Sequence, residues 1–106
     1  MAESLSDLGR FTDAGLLILT SLAGGERHGY AIMEDVRAMT GIKLGPGTLY
    51  AALTRLNRMG YIEAASTDDP RRRPYRLTAT GIRALETQVA GLRQLAATAT
   101  ERLASL

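Results

Sequence analysis

The sequence has 106 residues, 45% of them hydrophobic and 23% charged, with no cysteine and a single histidine. That is enough for one domain with one modest core, and it excludes a disulfide framework, a thiolate metal site and a His-rich metal cluster. The formal net charge of +2 conceals a gradient: residues 1–70 hold six basic and nine acidic side chains, whereas residues 71–106 hold seven basic and two acidic. Met1 to Arg10 lacks the charged-then-apolar pattern of a signal peptide, and the longest apolar run is Leu16 to Leu19. A cytoplasmic location with no membrane partner is therefore expected.

In chain order, Thr12 or Asp13 can cap a first helix whose apolar residues Leu16, Leu17, Leu19 and Leu22 recur at helical spacing until Gly24-Gly25. A second helix, Tyr30 to Met39, carries Ile32, Met33, Val36 and Met39 on one stripe and stops at Gly41. Pro46 suits the first turn of a third helix, where its missing N–H is not needed. Leu49, Ala52, Leu53, Leu56 and Met59 then form a buried stripe, which Gly60 closes.

From Tyr61 the period shortens. Two strands around the turn-rich Ser66 to Pro70 make a hairpin, with Ile62, Ala64, Tyr75 and Leu77 facing inward and Arg76 facing out. Inward parity sets Tyr75 beneath the hairpin. Pro74 confines its strand to an edge or strand-start position, which implies a two-stranded flap and not a sheet with this strand at its centre. Thr78 can cap a last helix running towards Leu106. Along it Ile82, Leu85, Val89, Leu92, Ala96, Ala99, Leu103 and Leu106 alternate steps of three and four, a heptad seam that Leu95 broadens. At 1.5 Å per residue such a helix is about 40 Å long, more than a small three-helix core can cover. The simplest partner for its far end is the same helix of a second copy, and Leu85, Val89, Leu92, Ala96, Ala99 and Leu103 are the expected dimerisation residues.

Helix, helix, turn, helix, hairpin and long helix is the order of a winged helix-turn-helix: a mainly α fold with a small β hairpin and an added dimerisation helix. The expected division is a DNA-binding part at 1–78 and the dimerisation helix at 79–106, packed as one unit. In such a module the third helix enters the major groove. With its leucine stripe buried, Gly47, Ala51, Thr54, Arg55 and Arg58 face outward, together with Thr48 and Tyr50 near its start. The small and hydroxylated residues permit close approach of the backbone, and the arginines suit phosphates or guanine edges. Arg71, Arg72 and Arg73 at the hairpin tip, with Arg76 on its outer face, supply a second anion-binding element that can follow the phosphate backbone or enter the minor groove.

His28-Gly29-Tyr30, Leu44-Gly-Pro-Gly-Thr-Leu-Tyr50, Leu53-Thr-Arg-Leu56, Gly60-Tyr-Ile62 and Arg71-Arg-Arg-Pro-Tyr-Arg-Leu-Thr-Ala-Thr-Gly81 together resemble the signature of PadR-type transcriptional regulators, and the likeness runs through the chain from about Asp13. The single C-terminal helix is similar to the short branch of that family. The resemblance implies a homodimeric winged-helix protein, usually a repressor, that releases its double-stranded operator when a small molecule binds or a cellular signal arrives. Some relatives hold flat aromatic or phenolic ligands at the dimer interface. The expected DNA-contacting set is Tyr30, Gly47, Thr48, Tyr50, Ala51, Thr54, Arg55, Arg58, Arg71, Arg72, Arg73 and Arg76. The chain departs from similar proteins at Ala51, where proline is frequent, and at Asn57, where an acid is frequent. With no tryptophan and Phe11 the one phenylalanine, a tryptophan-built stacking pocket is excluded; a small hydrophobic effector in a cavity at the dimer interface, between the first and last helices near Ala96 and Ala99, is the remaining expectation.

Enzyme chemistry finds little here. His28 has no cysteine partner and fits a capping or surface role at the entrance of the second helix. Gly45-Pro-Gly-Thr48 lacks the lysine and preceding strand of a phosphate loop, Ser4 and Ser6 are expected in a disordered tail, and nothing else groups acid, base and nucleophile. No cofactor is expected. The competing non-enzymatic reading is a protein-interaction module whose long helix pairs with another protein and whose hairpin never meets DNA.

Overall fold

The computed structural model describes residues 13–69 and 72–106. The expectations for Ser4, Ser6, Phe11, Thr12 and Arg71 lie outside them. The elements are α1 (Ala14–Ala23), β1 (Arg27–His28), α2 (Gly29–Thr40), α3 (Pro46–Arg58), β2 (Ile62–Ala64), β3 (Pro74–Leu77) and α4 (Ala79–Ala104). Each helix starts and stops where its local chemistry dictates. Asp13 caps α1 by accepting from the Gly15 N–H at 2.7 Å. The Nδ1 of His28 accepts from the Ala31 N–H at 3.3 Å and so caps α2. Thr78 caps α4 through Gly81 at 3.0 Å. Gly41 and Gly60, at φ of 76° and 78°, end α2 and lead out of α3 in the left-handed conformation that side chains disfavour.

The core gathers Leu17, Ile18, Leu19 and Leu22 of α1, Ile32 and Val36 of α2, Leu44, then Leu49, Ala52, Leu53 and Leu56 of α3, and Ile62 of β2. Helix α1 packs against α2, α3, α4 and β3. It is therefore buried on more than the one stripe expected of it: Ile18 is fully enclosed, and Leu16 is only half-buried. Two expected stripe residues are exposed instead. Met39 lies in the last turn of α2 and Met59 just past the end of α3, both beyond the core cluster. Arg27 stitches the helical layer to the sheet, its Nε donating to the Ser21 carbonyl at 3.2 Å and standing 3.6 Å from an Asp35 carboxylate oxygen.

The sheet corrects the expected two-stranded flap. It has three strands in the order β1-β3-β2, both pairings antiparallel, so β3 is central. Pro74 is accommodated because it opens the strand: it stands opposite His28, and its carbonyl accepts from the Ala65 N–H at 2.9 Å. Ile62, Tyr75 and Leu77 turn towards the body as expected. Ala64 is exposed, because the hairpin has by then run past the core.

Helix α4 leaves the body at a crowded joint. The Thr78 N–H donates to the Tyr61 carbonyl at 3.1 Å, the Thr78 hydroxyl donates to the Gly60 carbonyl, and the Tyr61 N–H returns to Leu56 at 3.0 Å. Gly81 sits so close to this turn that a Cβ there would penetrate the Tyr61 carbonyl oxygen. Past Leu85, which packs on the core, the helix runs outward; the described residues span 58 × 33 × 20 Å. Val89 is 38% exposed, Leu95 67% and Leu103 66%.

Replacing Gly81 by alanine should lower stability by about 1–3 kcal/mol, as overpacking does elsewhere. A Cβ at Gly91 meets nothing within 4 Å, so Gly91→Ala should raise stability by up to about 1 kcal/mol through helix propensity. Chemical denaturation followed by circular dichroism checks both, and equal effects at the two glycines would contradict the joint.

Candidate nucleic-acid interface

Helix α3 buries Leu49, Ala52, Leu53 and Leu56, and the helical period then sets Gly47, Ala51, Thr54 and Arg58 directly opposite the core; all four are exposed. Gly45 caps the helix without a side-chain bond. The Thr54 hydroxyl donates to the Tyr50 carbonyl at 2.9 Å and keeps its acceptor lone pairs available outward. Arg58 has no ion pair among the described residues. The outward row is thus three small residues and one long cation.

The flanks of α3 behave differently. Arg55 turns towards α1, where its guanidinium is 3.9 Å from the Asp13 oxygen that caps that helix. Half-exposed as it is, the pair contributes little energy, yet it directs Arg55 sideways from the outward row. On the other flank Tyr50 lies over Gly29 at the start of α2. A Cβ on Gly29 would stand 2.6 Å from the Tyr50 hydroxyl and 3.1 Å from Cζ. The ring is packed as well as 43% exposed. Thr48 is exposed beside the first turn, and Tyr30, in the first turn of α2, is 64% exposed.

In the hairpin, which forms the wing, Arg72 is almost wholly exposed, with a 4.0 Å contact to Asp69. Arg73 is half-buried and has no ion pair among the described residues. Burial pushes the Tyr75 hydroxyl above the ordinary tyrosine value; the nearby Arg73 pulls against that rise and Tyr50 adds to it. These three side chains therefore share one neighbourhood where the wing meets α3. Arg76 is engaged by two carboxylates, Glu63 at 2.8 Å and Glu26 at 3.4 Å, and these bonds hold its pKa above the usual arginine value.

Three of these contacts had different standing in the sequence. Glu63 follows from pairing the hairpin strands by parity. Glu26 depends on β1, whose two residues carry no periodicity. The seat of Tyr50 over Gly29 left only the mute signal of a glycine beside a helix start.

A groove of about 740 Å³ runs between α1, the end of α3 and α4, lined by apolar residues that include Leu16, Leu19, Leu56, Met59, Leu92 and Leu95, with Asp13 and Arg55 at its edge. Ala96 and Ala99 do not line it; they lie farther out on α4, both exposed. Among the described residues no helix is long and apolar enough to cross a membrane, and no group of three or more side chains is placed to hold a metal ion.

Three helices, a winged sheet and a projecting C-terminal helix define a winged-helix protein of the kind that regulates transcription. The sequence model of the transcriptional regulator PadR-like family matches residues 18–87, and the chain belongs to that family. A transcriptional regulator from Clostridium thermocellum superposes with a TM-score of 0.76 at 26% identity, covering 95% of this chain and 97% of that one. A PadR family transcription regulator from Clostridium difficile gives 0.74 at 28% identity, covering 85% and 97%. A 37.1 kDa protein in transposon Tn4556 of Streptomyces fradiae is 38% identical over 86 residues, which are 81% of this chain but 25% of that protein. The chain thus spans about a quarter of the length of the curated relative it matches.

If Tyr50 rests on Gly29, Gly29→Ala should destabilise the fold by about 1–3 kcal/mol, and most of that loss should vanish when Tyr50→Ala is added. A double-mutant cycle in thermal denaturation measures it; additive effects would mean that the two residues do not meet.

Proposed function

We propose that the chain is a sequence-specific regulator that binds a double-stranded operator as a homodimer and represses transcription from it. Helix α3 enters the major groove through Gly47, Thr48, Ala51, Thr54 and Arg58, while Tyr30, Tyr50 and Arg55 border the contact. The wing tip, Arg71 to Arg73, meets the neighbouring backbone or minor groove. The observation that carries this reading is the outward row of α3: three small residues and Arg58, displayed on a helix whose other face is the core. Small side chains let the helix backbone come within reach of base edges, and arginine reads guanine or phosphate.

Dimerisation is supported by the apolar seam of α4. Val89 and Leu103 are exposed in the single chain, and with Leu92, Ala96 and Ala99 they offer a second copy a surface of heptad spacing, whereas Leu85, expected in the seam, packs on the chain's own core. The apolar groove beside α4 suits a small hydrophobic effector whose binding alters how α4 lies on α1, and thereby releases the operator.

Selection of bound fragments from genomic DNA tests the reading. Enriched sites should contain two half-sites about one helical turn apart, and log affinity should fall with log salt at about 0.9 per neutralised phosphate. Repression is checked by placing an enriched site upstream of a reporter. Val89→Glu with Leu103→Glu, both at exposed positions, should leave a folded monomer whose operator affinity drops on the order of 100-fold or more as the second half-site is lost. No enrichment over random fragments would exclude the operator reading, and a monomeric wild-type chain with full affinity would exclude the dimer. A panel of planar and amphipathic compounds should yield at least one that shifts melting and lowers operator affinity; none doing so would remove the effector.

A further inference from the structure

Arg76 occupies the middle of a ladder that crosses the whole sheet. It lies on the central strand, with Glu63 of β2 in register directly opposite. Continuing the β1–β3 pairing by one residue sets Glu26 on its other side. One guanidinium is thus shared, its Nε bonded to Glu63 at 2.8 Å and its Nη1 to Glu26 at 3.4 Å. Two carboxylates around one cation give this level of the outer sheet face a net charge of −1. A phosphate drawn to Arg76 would have to displace a carboxylate and then lie beside both. The wing tip presents the reverse: Arg72 is mostly in solvent, and Arg73 is without an ion pair among the described residues. The ladder also has a mechanical role. It joins the hairpin to the segment that leads through β1 into α2, and Arg27 in that segment is fastened to Ser21 and Asp35.

We infer that Arg76 is a wing-positioning residue and not a DNA contact, and that the Glu26–Arg76–Glu63 ladder turns the outer sheet face away from the duplex so that the wing meets phosphate through its tip alone. The inference rests on the duplex-binding reading above and departs from the expectation that Arg76 touches DNA. Removing Arg76 leaves two carboxylates opposed across the strands, which loosens the wing. Replacing all three residues by glutamine removes that repulsion and keeps hydrogen-bonding side chains in register.

Full-length variants and a fluorescently labelled operator duplex, or a random-sequence duplex if selection yields no operator, decide the matter by anisotropy across a salt series. Arg76→Gln should weaken binding about three- to tenfold. E26Q/E63Q/R76Q should recover most of the loss and keep the wild-type salt slope, whereas Arg73→Gln should lower the slope by about 0.9. If Arg76 binds phosphate, the triple variant stays as weak as Arg76→Gln and its slope drops by the same amount, which overturns the inference. If neither variant changes affinity, the ladder positions nothing and the inference is equally overturned. Should the wild-type chain bind no duplex, the functional reading falls and the ladder is judged by denaturation instead. E26Q/E63Q/R76Q is then expected to melt above Arg76→Gln, and equal melting would refute the ladder itself.

Discussion

The first turn of α4 lies against the carbonyl of Tyr61, and a hydrogen in place of a side chain at Gly81 is what permits the approach. Around that contact Thr78 bonds to the turn that follows α3 and caps α4, while Tyr61 bonds back to Leu56 inside α3. The end of α3, the base of the wing and the start of α4 are thereby drawn to one point. Each bond is modest, about 0.5–1.5 kcal/mol net, but together they leave the three elements little freedom to move separately. The outward row of α3 is for that reason coupled to the wing and to the direction in which α4 leaves the body.

Charge is arranged with comparable economy. The cations on α3 and the wing divide by partner. Arg55 leans on the Asp13 cap and Arg76 on two glutamates, whereas Arg58, Arg72 and Arg73 are left facing solvent or only loosely held. A count of arginines in the sequence treats these residues alike, and the fold separates them. Like-signed side chains a few residues apart acquire different roles because the strand and helix periods point them at different neighbours.

How much could be read in advance followed the same rule. The four helices, the cap at Thr78, that at Asp13 as one of two candidates with Thr12, Pro46 in the first turn of α3, and the buried stripe of α3 were legible because helix ends carry their own chemistry and a period of 3.6 residues leaves a long and redundant signal. His28 was legible as a capping or surface residue at the entrance of α2, and the structure makes it the cap. The third strand was not, since two residues establish no period; Pro74 does open its strand, one of the two places open to it, but the strand is central and not part of a two-stranded flap. Nor was the depth of α1, because a stripe in sequence assumes that a helix has one covered side. Met39 and Met59 continued their stripes in register yet lay beyond the core cluster. Glycines at Gly29 and Gly81 read as motif letters, and only the packed structure shows which atoms approach them.

Helix α4 extends 26 residues from its joint, about 39 Å at 1.5 Å per residue. It acts as a lever: a tilt of about 5° at Gly81 displaces the far tip by about 3 Å, by the geometry of a rod of that length. In the homodimer proposed above, with two copies clasped along these rods, the same tilt would work in reverse, opening or closing the gap between the two copies of α3 like the jaws of a calliper. A small molecule wedged at the fulcrum, where the groove between α1 and α4 begins, would then set which spacing of half-sites the jaws can span.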